Sequence, residues 1–367
     1  MRASQATLLL SIAAAVGLSC LPAVRGQCAA PGGAQYSGDM ACDLYGGRPE
    51  FQPQAQPQEE EPCANEPMGG LFRRIRNHEC CGNRWNLAAE GIALQRNATR
   101  SQSLYDVGTT ATEAFNAKNF EFPVEAGVRL SAIRQLDCEP FAVEVAYFQV
   151  DGFAASESVP GQSLMVTDAN GPHFIVNDGV ARYTSALYVG DVNLRWQCFD
   201  RLTLLGGFRM GQLNEHYHAA GAGAGSGEAV TLDVDAFNHL YGFQLGADAD
   251  VIDFGGPLKV KALCRAGAFG NFASQNNRRV DAGFSDESLN ANRDDHIAFL
   301  GEAGVVLTYE FTKHLSFRAS AEAMWLEGVA LAPEQIGSTN FIAGTADIDT
   351  NGGVFYYGGG LGLEYKF

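Results

Sequence analysis

From Trp85 onward the chain alternates apolar and polar residues with a period of two, over runs too long for an ordinary soluble sheet. Tyr241, Phe243, Leu245, Ala247, Ala249 and Val251 share one parity, opposite Gln244, Asp248 and Asp250. Leu258, Val260, Ala262, Cys264, Ala266 and Ala268 oppose Lys259, Lys261 and Arg265 in the same way. Phe299, Ala303, Val305, Leu307, Tyr309 and Phe311 oppose Glu302, Thr308 and Glu310. Phe120, Phe122, Val124, Ala126, Val128, Leu130 and Ala132 oppose Glu121, Glu125 and Arg129. Successive side chains of a strand point to opposite faces, so this is strand alternation and not a helical pattern. Runs of roughly 13–17 residues exceed the ~5–6 of soluble strands and suit a membrane crossing, which takes about 9–11 residues plus extensions.

The alternation predicts ten strands, near 85–97, 118–133, 138–152, 183–199, 201–217, 236–252, 256–272, 295–311, 313–328 and 353–367. Their links are alternately tight (Arg134 to Asp137, Asp200, Asp253 to Gly255, Thr312) and long, about 20 to 30 residues, the asymmetry of outer-membrane barrels. Trp196, Tyr309, Phe311, Phe317, Tyr365 and Phe367 fall at the tight-turn end. Tyr147, Tyr188, Tyr241, Trp325, Phe355 and Tyr357 fall at the other, which makes two interfacial aromatic rows. The expected fold is all-β: a transmembrane antiparallel up-and-down β-barrel of about ten strands. A soluble secreted β-sandwich is the alternative that period two alone leaves open.

Residues 1–26 read as a secretory signal peptide, with Arg2, an apolar stretch from Ala6 to Leu18 and small residues before Gln27. Residues 27–84 are a mostly irregular Cys/Pro/Gln-rich segment and linker placed in the periplasm, and 85–367 are the outer-membrane barrel. Five of the eight cysteines after residue 26 precede residue 84, and export suits disulfides better than metal. Cys138 and Cys198 lie at the periplasmic rim of adjacent predicted strands and form a candidate disulfide. The formal net charge of −17 excludes a general nucleic-acid binder.

The inward parity is where chemistry concentrates. It carries Glu90, Glu125, Glu144, Asp191, Asp248, Asp250, Glu302, Glu310, Glu322 and Glu364 against Arg129, Arg195, Arg209, Lys259, Lys261, Arg265, Arg318 and Lys366. Ten strands enclose a lumen only slightly wider than the eight-strand case, which side chains fill. Mixed charges there read first as a salt-bridged plug and second as a path for small solutes. His216 and His218 share a strand face, but no third ligand is evident in the sequence, so no metal is assigned. Asp294, Asp295 and His296 sit at the outer mouth, where acidic and histidine sets serve the omptin proteases; a solvated charge run is the simpler reading. Gly221 to Gly227 lacks the lysine and helix of a phosphate cradle.

The stretches WNLAAEGIAL from Trp85, RLTLLGGFRMGQLNEHY from Arg201, NHLYGFQLGA from Asn238 and FTKHLSFRASAEAMWLEGVALAPEQI within Ala298–Ile336 resemble the β-barrel porin family of planctomycete bacteria. The resemblance spans roughly Trp85 to Phe367 and implies an outer-membrane barrel, with no catalytic residue and no cofactor. The expected function is a narrow porin-like channel or a structural barrel of the envelope, with an outer-mouth hydrolase as the alternative. The expected partners are outer-membrane lipid and the barrel-assembly machinery, the latter reading Phe367 on the terminal strand.

Overall fold

A computed structural model describes residues 85–107, 112–136, 140–161, 163–168, 171–223, 228–253, 256–281 and 285–367. The predicted signal peptide, the 27–84 segment and Cys138 lie outside the described residues. In chain order the strands are β1 (Trp85–Arg96), β2 (Ser103–Val107), β3 (Thr112–Asn116), β4 (Glu125–Gln135) and β5 (Phe141–Val159). They continue with β6 (Leu164–Asp168), β7 (Gly171–Phe199), β8 (Leu202–Gly223), β9 (Ala229–Asp253) and β10 (Leu258–Asp281). The last are β11 (Ser285–Glu310), β12 (Leu315–Val329), β13 (Thr339–Asn340), β14 (Thr345–Ala346) and β15 (Gly352–Lys366).

Ten of them form a ring in the order β7-β5-β4-β1-β15-β12-β11-β10-β9-β8, closed by pairing of β7 with β8. Every pair in the ring is antiparallel. Closure pairs every strand of the ring on both sides in the lower part, whereas above Phe299 the tall β11 has a register partner only in β10 among the described residues. The two ends of the described chain meet on one rim: Trp85 N–H donates to the Phe367 carbonyl (2.9 Å), and Phe367 N–H donates to the Trp85 carbonyl (3.0 Å). This rim also carries the tight turns between β7 and β8 and between β11 and β12.

The outer surface nearest that rim is apolar. Val192, Leu194, Phe208, Met210, Phe243, Leu245, Phe299, Val305, Leu361 and Leu363 are all exposed. Aromatics bound the band: Tyr309, Phe311, Tyr365 and Phe367 below, Tyr147, Tyr241, Phe355 and Tyr357 above. On β15 the rows stand eight to twelve residues apart (Tyr357 to Tyr365, Phe355 to Phe367). At ~3.4 Å per residue and a tilt near 40° that is ~20–30 Å, against the ~25 Å apolar band of membrane barrels.

Above the upper aromatic row the sheet exchanges its faces. On β8, Leu204, Phe208 and Met210 point out in the lower part, while Leu213, Tyr217 and Ala219 are buried inside in the upper part. On β9, Tyr241, Phe243 and Leu245 are exposed below, and Val230, Leu232, Val234 and Ala236 are buried above. The upper half is therefore built like a water-soluble domain, polar outside and apolar inside. A single-phase reading of the alternation ends at this exchange, which explains why the predicted strands stop short. The predicted strand 236–252 is β9 over 25 residues, and 183–199 is β7 over 29.

The ring is tall on one side only. β1, β4, β12 and β15 have 12, 11, 15 and 15 residues. Above β1 and β4 the wall is completed by β2 and β3, joined to β7 through β6. A 3-10 helix, Ala332–Ser338, follows β12, with Ala332 through Ile336 buried. Phe120 and Phe122, expected on the lipid face of the second strand, are instead 3% exposed inside the upper half. Pro123 explains the correction: lacking an N–H, it cannot extend the ladder downward from Phe122, and β4 starts only at Glu125.

Candidate functional site

Within the apolar band the inward residues form one charged network that crosses the lumen. Arg129 on β4 grips Glu322 on β12 with two bonds of 2.5 and 2.9 Å, and approaches Glu302 at 4.0 Å and Glu90 at 3.9 Å. Arg209 on β8 holds Asp191 through Nε (2.5 Å) and Nη2 (2.8 Å), and Glu302 through Nη2 at 3.2 Å. Arg265 on β10 reaches Glu144 at 3.3 Å and Asp191 at 3.8 Å. Arg195 bonds Glu144 and lies 2.5 Å from Asp248. On the other wall Arg318 pairs with Glu90 (2.5 Å) and Glu364 (3.5 Å), and Lys366 with Glu364 (3.2 Å).

The remaining charges line the lower end. Lys259 and Lys366 both reach Glu310, at 2.9 and 3.4 Å, and Lys261 lies 3.7 Å from Asp250. They border a cavity of about 290 Å³, whose lining includes Arg195, Arg318 and Glu364. Over the Arg129–Glu322 pair lies a space of about 10 Å³ beneath Leu94, Met324 and Tyr356, at the lower limit of what one water needs. Glu125 shares the inward parity of Arg129 but sits at the top of β4, opposite Leu94 and apart from the network.

The upper lumen is filled by a hydrophobic core. Leu104, Tyr105, Phe115, Phe120 and Phe122 from the β1–β4 connection pack with Phe153, Tyr183, Leu213, Tyr217, Leu232, Leu331 and Ile336. Edge-to-face rings hold the centre together, with Phe122 against Tyr183 at 5.2 Å and Phe115 against Phe120 at 5.1 Å. Inward amides on β9 and β10 bind the end of β12 and the segment that follows it. Asn238 donates to the Ala330 carbonyl and accepts its N–H, both at 2.8 Å. Asn271 donates to the Gly328 carbonyl (3.0 Å), Gln275 to that of Asp347 (2.9 Å), and Asn277 to Thr339 Oγ1 (2.7 Å). Directed bonds of this kind fix the segment in place inside an otherwise apolar core.

One ion pair is enclosed by that core. Arg96, the last residue of β1, donates through Nη1 to Glu215 Oε1 on β8 at 2.7 Å, with both side chains fully buried. Glu215 also accepts from the Tyr183 hydroxyl and from the Ala332 N–H (3.1 Å). The guanidinium lies over the rings of Phe122 (4.6 Å) and Tyr183 (5.0 Å). Sequence reasoning did not single out Arg96 or Glu215. The signal was available: each is a charge on the inward parity of a stretch whose other inward members, Ile92 and Leu94 or Leu213 and Tyr217, are apolar.

The outer-mouth and rim residues are placed separately. Asp295 is exposed and accepts from Arg293 Nε at 2.9 Å, a bond that holds its carboxyl below the usual range. His296 lies beside Gly328. Cys198 Sγ is 3.5 Å from the Leu202 carbonyl oxygen; its predicted partner lies outside the described residues. His216 and His218 face outward from β8 above the aromatic row. The expectation that no third ligand is at hand is corrected: Asp233, on β9 opposite His218, brings a carboxylate oxygen within 4.8 Å of both imidazoles. The distance along the chain between residues 218 and 233 concealed it.

No family model matches the sequence, and no curated protein is similar to it. Among solved structures, the chain is similar to the outer membrane protease OmpT from Escherichia coli at 11% identity, covering 77% of this chain and 97% of that one with a TM-score of 0.43. It is similar to the toluene transporter TbuX from Ralstonia pickettii at 8% identity, covering 81% and 93% with a TM-score of 0.35. It is also similar to the translocator domain of the autotransporter NalP from Neisseria meningitidis at 10% identity, covering 81% and 94% with a TM-score of 0.37. Their activities differ from one another, and none is transferred to this chain.

Proposed function

We propose that the chain is a structural barrel of the outer membrane, closed to solutes, whose upper half is a folded cap standing above the bilayer. The observation that carries this reading is the filled upper lumen: Leu104, Phe120, Phe122, Tyr183, Tyr217 and Ile336 are buried where a channel would need water. The salt-bridged lower lumen supports it, because five arginines bound across the ring resist displacement by a passing ion. The apolar band and its two aromatic rows support insertion in a bilayer. Outer-membrane lipid is then the principal partner. Exposed Phe367, closing the ring beside Trp85, is the group a barrel-assembly machinery would read.

Planar-bilayer recording of the refolded full chain tests the proposal. The intact protein should show no conductance steps. Deleting residues 333–348 removes the segment held by Gln275 and Asn277 and should produce small steps. Those steps should prefer cations mildly, since the net charge is −17, and the preference should shrink as salt shortens the Debye length from about 10 Å at 0.1 M to 3 Å at 1 M. Regular large steps from the intact protein would refute the closed barrel.

A further inference from the structure

We propose that the outer wall of the cap carries a site for a first-row divalent transition metal, built from His216, His218 and Asp233 with Asp235 in support. Two side chains two residues apart on β8 share its outward face, and the imidazoles lie nearly parallel, 6.4 Å apart at 19°. Antiparallel pairing sets Asp235 opposite His216 and Asp233 opposite His218. Strand geometry alone therefore gathers two nitrogens and two carboxylates on one rigid ladder.

The atoms are arranged as a metal needs them. His216 is bonded through Nδ1 to Asp235 Oδ1 (2.7 Å), which fixes the ring and leaves Nε2 directed toward Asp233 Oδ1, 3.8 Å away. His218 Nδ1 lies 2.6 Å from that same oxygen. Donors on a tetrahedral ion at ~2.0–2.1 Å are separated by about 3.3 Å, so the His218–Asp233 distance must open by about 0.7 Å and the His216–Asp233 distance close by about 0.5 Å to admit the ion, within reach of side-chain rotation. The carboxylate behind His216 is the outer partner that a ligating histidine ordinarily has, orienting the ring and raising its basicity. Binding would replace the proton between His218 and Asp233 with the ion.

The donor set selects the class of ion. Two imidazoles and a carboxylate suit zinc, nickel or copper, with copper strongest in the usual order, and do not suit calcium or magnesium, which take oxygen ligands. Arg182 and Thr184, the β7 residues opposite His218 and His216, flank the site. All four site side chains are between 30% and 42% exposed, so an ion would reach them from the outer solution without opening the cap.

The test uses the full chain refolded in detergent with its cysteines alkylated, so that thiols bind nothing. Titration calorimetry with zinc should give one ion per chain. His218→Ala and Asp233→Asn should each weaken binding at least tenfold, whereas His239→Ala, outward on β9 outside the set, should leave it unchanged. Copper should give an electron paramagnetic resonance spectrum with two nitrogen couplings in the parent protein and one in His216→Ala. Zinc affinity that survives the double His216→Ala, His218→Ala change would overturn the assignment. So would a copper spectrum of the parent protein without two nitrogens, whatever the variants' folding.

Discussion

Arg96 and Glu215 face each other across the lumen 2.7 Å apart, on strands separated by β4, β5 and β7 on one side and five strands on the other. The pair joins the end of the first strand to the far wall and, through Ala332, to the segment that follows β12. It is the point where three separate parts of the cap are tied together. Removing one member of a buried pair strands the other charge, at about 3–5 kcal/mol, whereas replacing both with apolar groups is often neutral. Glu215→Leu alone should therefore loosen the cap by about that amount. The double change Arg96→Met, Glu215→Leu should recover most of the loss, as measured by urea unfolding in detergent. Equal losses in single and double variants would mean that the charges themselves hold the cap.

Glu334 gives the cap a pH dependence. Burial raises its carboxyl to about 7 from 4.5, with one oxygen accepting only the Arg100 N–H at 3.1 Å and the other unpaired. The folded cap keeps the proton that the unfolded chain releases above ~4.5, so the contribution is complete below that pH and is lost as pH rises toward ~7. The loss is on the order of 3 kcal/mol. Limited proteolysis within 333–348 should therefore accelerate between pH 5 and pH 8. Glu334→Gln, which needs no proton, should flatten that profile.

Val305 tests the exterior. It is 49% exposed on β11 within the apolar band, between Ala262 and Ala321. Val305→Arg should cost about 2–4 kcal/mol in lipid, as expected near mid-bilayer. Val305→Leu should be almost silent in the same vesicle-refolding assay. An arginine tolerated as well as leucine would place this face in water.

Cys264 is a free thiol on the outward parity of β10, beside Ala247 and Ala303. In a variant retaining only this cysteine, a charged methanethiosulfonate reagent should fail to label it in vesicles. A membrane-soluble maleimide should succeed. Rapid labelling by the charged reagent would show that the β10 exterior is wet.

The ring of ten strands was legible because lipid imposes one uninterrupted phase on each crossing, and residues such as Phe243, Leu245 and Leu361 obey it. The facing of Arg129, Arg209 and Glu302 follows from the same phase, and Asp191 stands beside Arg209 in the tight β7–β8 hairpin, but the Arg129–Glu322 and Arg209–Glu302 contacts do not follow from it, since their strands lie three places apart in the ring and meet only in the closed lumen. The cap was not legible. Its apolar residues, Leu213, Tyr217 and Leu232, take the parity that holds charges lower on the same strands, so Leu232 read as loop and Leu213 and Tyr217 as the end of a membrane strand with no sign that they face a core. Phe120 and Phe122 kept the lipid phase by coincidence, and only Pro123 marked the break. The β8–β9 cluster required knowing that residue 218 stands opposite 233.

The exchange of faces at the upper aromatic row has a consequence for how these strands can change over time. A strand buried on one side can often absorb a one-residue insertion or deletion near its end, because only a short stretch is turned to the wrong side. β8 cannot do so anywhere between Leu204 and Ala219. A shift starting below moves Phe208 and Met210 into the charged lumen and sends Arg209 into lipid; one starting above turns Leu213 and Tyr217 outward and Glu215 with them. Each tall strand is thus checked twice, against oil below and against water above, by opposite criteria. Length variation should be confined to the connections, and strand length should be the most slowly drifting property of this molecule.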